Sequence, residues 1–319
     1  MLTINPSELK IPDLQRWLQS GIGPRPIAFV STISDDGTPN LAPFSFYNVF
    51  STNPPVIGFS PARRGRNNTL KDTYNNLMNN GECVVHSVNF NMVEKVNLAS
   101  SELLAEQNEF SIAGFTPLNS DLVKPFRVKE SPFQMECKLL QMISFSDLPG
   151  AGNLALCQVL KIHIDDSILD DGKIHPDLID LVGRNGGNWY TRSSGSAMFE
   201  LEKPAHSNPI GFDKLPEQIL NSNVLSANNL ARIASADKFP ETIEIQEFLS
   251  LFDTSNDSLE SFYRYYDVLD YYKMLNFALA IYQHNIDKGF YLLELTLKTA
   301  LDMGDINFGM NLAGFIYLS

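Results

Sequence analysis

Asn40-Leu-Ala-Pro-Phe-Ser-Phe-Tyr-Asn-Val-Phe50, continued by Asn53-Pro-Pro-Val-Ile-Gly-Phe-Ser60 and closed by Lys71-Asp72-Thr73, is the stretch on which the fold turns. Its aromatic and β-branched residues predict two strands that end in small polar groups, with Pro54-Pro55 as the break between them. A basic loop then opens a helix at Lys71-Asp72-Thr73. Strand ends of this kind can hold a flat ring, and a basic helix start can hold a phosphate.

Upstream, Pro6 to Ser20 reads as a short helix stopped by Gly21-Ile-Gly-Pro-Arg-Pro26. Pro26 to Ile33 is a strand, the Asp36-Gly37 pair turns it, and Asn40 to Phe50 returns. Downstream, Val56 to Ser60 is a strand, and Thr69 to Asn80 is a helix ended by Gly81. Glu82 to Asn89 follows as a strand and Met92 to Ala105 as a helix. Residues 131–146 and 153–166 pair around Asp147-Leu-Pro-Gly-Ala-Gly152, and Ser196 to Leu201 adds a last strand. About six strands with few helices between them do not make a doubly wound parallel sheet. A closed antiparallel barrel with decorating helices fits instead.

Past Pro240 the pattern changes. Phe248, Phe252, Phe262, Tyr265, Tyr266, Leu269, Tyr272 and Leu275 recur mostly at spacings of three and four, and no Pro follows, so this segment is helical. It is also acidic, since residues 205–319 carry 7 Lys and Arg against 15 Asp and Glu. The whole chain of 319 residues has a net charge of −13, which excludes bulk affinity for nucleic acid. No apolar run is long enough to span a membrane and no secretory leader is evident, so a cytoplasmic protein is expected. Cys83, Cys137 and Cys157 sit in apolar strand-like sequence and read as buried thiols of a reducing compartment.

No dinucleotide fingerprint, P-loop, H-E-x-x-H or nucleophile elbow is present, and His86, His163, His175, His206 and His284 do not fall at metal-ligand spacings. No catalytic residue and no metal ligand is therefore assigned. Arg63, Arg64 and Arg66, with Asn67-Asn68-Thr69 and Lys71-Asp72-Thr73, supply cations, amides and hydroxyls for an anion. Thr69-x-x-Asp72 is equally a capping-box pattern, so a plain capped helix stands beside the anion site. Asn40, Ser45 and Asn48 offer groups that suit the polar edge of a flavin, and they equally suit strand ends.

Arg25-Pro-Ile-Ala-Phe-Val-Ser-Thr32, Asp36-Gly37, Asn40 to Asn48, Asn53-Pro-Pro55 and Lys71-Asp72-Thr73 together resemble the flavin reductase-like, FMN-binding split-barrel family, which includes the flavoredoxins. Glu130-Ser-Pro132, Glu136-Cys-Lys138 and Gly211 to Ser222 extend the resemblance over roughly residues 20 to 235. It implies a mainly β protein: a six-stranded Greek-key split barrel with decorating helices that forms a homodimer, followed here by an α-helical extension. The expected divisions are a barrel domain over 1–204, a family-like arm over 205–240 and an acidic helical extension over 241–319.

The resemblance further implies FMN as cofactor and NADH or NADPH as co-substrate. Asn40, Ala42, Pro43, Ser45 and Asn48 would line the ring, and Ser60 would lie beside the ribityl chain. Lys71 and Thr73 would hold the phosphate, with Asn68 and Thr69 as further candidates. The segment Leu181 to Tyr190 resembles a position near the flavin mouth. The expected function is hydride transfer from NAD(P)H through FMN to a flavin or other acceptor. Its rivals are an FMN electron carrier reduced by a partner protein, and a barrel scaffold whose helical tail mediates interactions.

Overall fold

The strand β1 (Ala28–Ile33) is buried over five of its six residues, which requires cover on both faces. Ala28 and Val30 join one apolar cluster with Phe44, Phe59, Cys83 and Cys137, while Phe29 joins a second with Leu41, Met92, Phe110 and Phe115. That division follows from the period of two along a strand. The computed structural model describes residues 1–101, 107–201, 203, 208–253 and 259–318. The boundary expected between 204 and 205, His206 and the end of the helix expected over Met92–Ala105 lie outside the described residues.

β1 belongs to an antiparallel sheet with β2 (Pro39–Phe44), β3 (Tyr47–Thr52), β4 (Pro55–Phe59), β5 (Glu82–His86), β6 (Phe133–Ser144) and β7 (Asn153–Ile164). The spatial order is β2-β1-β5-β6-β7-β4-β3. The sheet thus has seven strands and two open edges, not the six strands and closed barrel expected from sequence. The difference arises inside Asn40–Phe50, which is two strands and not one. β2 pairs with β1, β3 pairs with β4, and Ser45-Phe46 connects opposite edges of the sheet. Three Cα steps reach roughly 11 Å at most, so the sheet must curl until its edges nearly meet. No ladder joins β2 to β3, and the seam stays split.

Helices α1 (Ile11–Gly21), α2 (Asp72–Asn80), α3 (Val93–Ala99) and the single turn α4 (Glu109–Ile112) decorate the sheet. α2 begins three residues later than the sequence predicts. Asn68 adopts a φ of 58°, and the Thr69 hydroxyl turns back to Asn67 Oδ1 at 2.8 Å, so no Thr69–Asp72 capping box forms. Lys71 takes the N-cap position, and Gly81 closes the helix at a φ of 72°, where a side chain would be strained.

Polar bonds fix α2 on the sheet. Asn40 Nδ2 donates to Thr32 Oγ1 at 2.9 Å and to Thr73 Oγ1 at 3.0 Å, and Asn76 Nδ2 donates to the same Thr32 oxygen at 3.0 Å. Leu77 fills the sheet's concave cluster on the same helix. Past β7, the chain adds a small hairpin of β8 (Val182–Arg184) and β9 (Tyr190–Arg192). Ser196 to Leu201 forms no strand.

The chain divides into two compact units, Met1–Phe199 and Glu200–Ser319. In the second, α5 (Ala227–Ala234), α6 (Thr242–Ser250), α7 (Leu259–Asp267), α8 (Tyr271–His284), α9 (Ile286–Asp302) and α10 (Ile306–Leu318) enclose their own core. Ile210, Leu215, Ile219 and Ile233 share that core with Phe262, Leu275, Leu293 and Leu297. α8 and α9 cross closely at Gly289, where a Cβ would stand 2.2 Å from the Tyr282 Cα. Among the described residues, no helix is long and apolar enough to cross a membrane.

His86 is fully buried beside β1. Its Nδ1 donates to the Phe29 carbonyl at 2.7 Å and its Nε2 accepts the Val128 N–H at 2.9 Å, an arrangement that only the neutral ring satisfies. Burial drives its pKa down to about 4, with a smaller push from Arg127, against the opposing Phe29 bond. The unfolded ring takes up a proton near pH 6.5 and the folded one does not, so stability is full above about pH 6.5 and declines as pH falls toward 4. Urea midpoints measured from pH 7.5 to 4.5 are expected to fall with this dependence. A His86→Phe variant is expected to be weaker at pH 7.5, because two backbone groups lose partners, and to show a flatter profile.

Candidate functional site

Arg25 organises the surroundings of the Ser45-Phe46 connection. It is only 6% exposed. Its guanidinium donates to the carbonyls of Gln19 and Ile22, the latter at 2.6 Å, at the C-terminal end of α1. The carbonyl end of a helix carries partial negative charge and steadies a cation there. A third bond runs from Nη2 to the Asn185 carbonyl at 3.0 Å, and Nε lies 3.5 Å from Ser45 Oγ. The Arg25 and Arg184 backbones exchange both N–H bonds, at 2.9 and 2.8 Å. One side chain therefore ties α1, the β8–β9 hairpin and the β2–β3 turn together. Burial, and then the charge of Arg184, lower its pKa from the ordinary arginine value.

Next to this turn, a small open cleft of about 90 Å³ lies between β2 and the start of α2. Asn40, Ala42 and Pro43 line it from β2, and Lys71, Asp72 and Thr73 from α2. Five of the ten residues singled out in the sequence thus meet in one place, and the Asn40–Thr73 bond is what joins them. Arg64, Ala99, Ser100, Ser101 and Glu109 complete the lining.

Of the added residues, only Arg64 carried a sequence signal, as part of the basic loop. Its Nη1 bonds Thr69 Oγ1 at 3.1 Å and the Leu70 carbonyl at 2.6 Å, and Nη2 lies 3.4 Å from Asp72 Oδ2. Glu109 arrives from a distant segment with no motif around it. Its carboxylate accepts the Leu41 N–H at 3.2 Å. Burial, with a smaller contribution from the Asp72 charge, raises its pKa above the ordinary glutamate value, while bonds from its own and the Leu41 backbone oppose the rise.

The other five singled-out residues lie outside that lining. Ser45 is half-buried beside Arg25. Asn48 is exposed on β3, where its Oδ1 accepts the Val49 N–H at 2.8 Å. Ser60 is joined through its N–H to the Phe46 carbonyl at 3.0 Å. Asn68 donates from Nδ2 to the Asp147 carbonyl at 2.9 Å, and Thr69 is exposed, held by Asn67 and Arg64.

Where the loop after Ser60 meets the β6–β7 connection, four buried polar atoms have no hydrogen-bond partner among the described residues: Ser60 Oγ, Arg63 Nε, Asn68 Oδ1 and Asn153 Oδ1. Their neighbours tie this seam, with Arg63 Nη2 on Asp147 Oδ1 at 3.0 Å and Asn153 Nδ2 on the Pro61 carbonyl at 3.1 Å. Unsatisfied buried groups are costly, and these suit a polar ligand chain carrying hydroxyls and phosphate.

Of the histidines, His163 does enter a cluster in space. Asp121, Glu136 and His163 bring ligand atoms within 4.8 Å of one another. The Glu136 carboxylate already accepts N–H bonds from Asp121, Leu122 and Val123 at 2.9, 2.6 and 3.2 Å and contacts His163 Nε2 at 2.7 Å. It anchors a loop to β6.

Residues 21–181, half of the chain, match the family described as flavin reductase like domain, and the chain belongs to that family. It is 36% identical over 208 residues to the uncharacterised protein BH2278 of Halalkalibacterium halodurans, covering 65% of this chain and 98% of that one. Nitrilotriacetate monooxygenase component B from Bacillus cereus superposes with a TM-score of 0.59 at 32% identity, over 63% of this chain and 98% of the other. A protein with a split barrel domain from Shewanella frigidimarina NCIMB 400 superposes with a TM-score of 0.53 at 22% identity, over 62% and 96% of the two chains, and shows the shared fold. The helical unit Glu200–Ser319 lies beyond the family-matched residues.

Replacing Arg25 tests its place in this architecture. Arg25→Leu leaves the Gln19, Ile22 and Asn185 carbonyls without their donor, at a cost on the order of 1–3 kcal/mol. Urea denaturation is expected to show that loss, and hydrogen exchange is expected to quicken first in the β8–β9 hairpin. Protection unchanged in the hairpin counts against the clamp.

Proposed function

We propose that the protein is an FMN-binding oxidoreductase of the flavin reductase type that takes hydride from NADH or NADPH and passes electrons to a flavin or other acceptor. The observation that carries this reading is the convergence of Asn40, Ala42 and Pro43 with Arg64, Lys71 and Thr73 in one cleft. It joins a sheet edge fit for a ring to a cationic helix start fit for a phosphate. Membership of the flavin reductase like family supports the same assignment.

In this reading Lys71, Thr73 and Arg64 hold the phosphate, with Asn68 and Thr69 supporting the loop. Ser60 offers its unpartnered hydroxyl to the ribityl chain, while Ala42, Pro43, Ser45 and Asn48 bound the ring. When bound, FMN supplies a ring that accepts hydride from a nicotinamide and releases electrons to an acceptor. The protein's share is to orient the two rings and exclude water, which accounts for a site without a nucleophile or an acid–base dyad. The flavin chemistry is assigned to the unit Met1–Phe199.

Purified protein reconstituted with FMN is expected to lose its yellow absorbance when NADH or NADPH is added without oxygen. A protein that takes up no FMN sinks the reading. Lys71→Ala is expected to weaken FMN binding by about tenfold, the loss of one charge-assisted bond. Glu109→Gln is expected to tighten it at pH 8, because a carboxylate facing the phosphate is removed. As pH falls and wild-type Glu109 takes up its proton, the two affinities should converge; fluorescence titration of FMN at several pH values measures this.

The acting form is proposed to be a homodimer. β3 is an open edge strand whose Val49 and Phe50 are 61% and 60% exposed, and Phe145 and Leu148 on the β6–β7 connection are 67% and 68% exposed. Exposed edges and apolar patches of this kind call for a partner surface. Sedimentation is expected to give twice the chain mass, and Val49→Asp with Phe50→Asp to shift it toward the monomer.

A further inference from the structure

A second open cleft, of about 540 Å³, lies in the first unit between α3 and the β8–β9 hairpin. Its floor carries two aromatic rings, each already covered by a guanidinium. The Arg184 guanidinium lies 4.5 Å from the centre of the Tyr190 ring, and that of Arg192 lies 4.0 Å from the centre of the Phe90 ring. Such stacks place a cation and a flat apolar face side by side.

The two arginines differ in charge balance. Arg192 donates from Nε and Nη2 to the two oxygens of Asp180, at 2.7 and 2.8 Å, so its charge is matched. Arg184 is held by the Tyr190 hydroxyl and by the Gly187 carbonyl, the latter at 2.6 Å, and among the described residues it forms no ion pair with a carboxylate. Its charge is fixed in place and still available to an anion. Glu94 and Asn97 on α3 face the same cleft and can accept from and donate to ribose hydroxyls.

The hairpin that presents Arg184 is rigidly seated. A Cβ on Gly183 would stand 2.7 Å from Pro24, and one on Gly186 would stand 2.9 Å from the Ser20 Cα. The same hairpin joins the β2–β3 turn through Arg25, which pairs with Arg184 along the backbone and approaches Ser45. The hairpin is therefore tied through Arg25 to the Ser45-Phe46 connection.

We propose that this cleft binds the adenosine and phosphate half of the nicotinamide nucleotide: the base stacked on the Arg192–Phe90 pair, the ribose at Glu94 and Asn97, and the phosphate on Arg184. This rests on the function proposed above for the choice of nucleotide, while the base, ribose and phosphate chemistry follows from the cleft's own residues. Free FMN shares that chemistry, so the test separates the two.

The full chain, saturated with FMN, is titrated with ADP-ribose, which carries no nicotinamide and cannot react. Calorimetry follows the binding, together with the emission of Trp189, which is 78% exposed at the hairpin tip. Saturable binding is expected, weakened at least tenfold in Arg184→Ala and less in Arg184→Lys, with FMN affinity unchanged in both. In turnover, Arg184→Ala is expected to raise the KM for the nicotinamide nucleotide about tenfold with kcat preserved, a pattern that marks lost ground-state binding. Arg184 meets Arg25 through its backbone, so the alanine variant should keep its fold, with a small loss of melting temperature from the side-chain bonds to Tyr190 and Gly187.

Absence of saturable ADP-ribose binding overturns the proposal, as does an affinity unchanged by Arg184→Ala. A second equivalent of FMN that competes with ADP-ribose and binds more tightly overturns the nicotinamide assignment in favour of flavin. Normal, Arg184-dependent ADP-ribose binding in a protein whose flavin NADH and NADPH leave oxidised sustains the cleft and removes the donor from the proposed function.

Discussion

Two residues, Ser45 and Phe46, connect strands at opposite edges of a seven-stranded sheet. A link that short cannot cross a flat sheet, because seven strands at about 4.8 Å spacing are far wider than its reach. The sheet must curl, and the curl gives it a concave interior filled by Val30, Phe44, Phe59 and the three cysteine side chains. It also brings residues far apart in the chain to the rim of one seam. Arg25, Ser60 and the β8–β9 hairpin all attach at or beside this connection.

The polar groups of the first unit divide into two kinds. Some are fully spent on architecture: Asn40 holds α2 through Thr32 and Thr73, His86 bridges Phe29 and Val128, and Glu136 holds the Asp121–Val123 backbone. Others are held in position with bonding capacity left over, as with Ser60 Oγ, Arg63 Nε and Asn68 Oδ1. Buried groups of the second kind weaken a protein unless something meets them. Their concentration along one seam is consistent with a scaffold shaped for a ligand and not only for its own stability.

The β6–β7 pair, the Asp36-Gly37 turn, the Gly81 helix stop and the helices past Pro240 all follow from local periodicity and turn chemistry, which need few distant partners. Asn40–Phe50 was harder. A continuous apolar run reads as one strand, and only its pairing with β1 on one side and β4 on the other divides it. Thr69-x-x-Asp72 matched a capping box, yet the left-handed Asn68 turns Thr69 away into the loop. Glu109 and the Ala99–Ser101 end of α3 reach the cleft through packing alone, so no spacing rule could point to them. Arg184 reads from sequence as a loop cation that could meet a nicotinamide phosphate or equally face solvent, and its stack on Tyr190 depends on the β8–β9 pairing.

By itself the sequence determined most of the element types and the helical character of the C-terminal unit, and it set the small polar and basic residues in their order along the chain. The elements follow from short-range rules of side-chain period and turn residues, while a flavin role for those residues is what the resemblance to the family implies. Tertiary structure alone decided that the sheet is open and seven-stranded, and that Lys71 and Thr73 stand against Asn40. It also decided that Arg25 couples α1, the β2–β3 turn and the hairpin, and that a second cleft carries an unmatched Arg184. Each of those depends on which strands pair and how far the sheet curls, and pairing between distant segments leaves no local mark on the residues that take part.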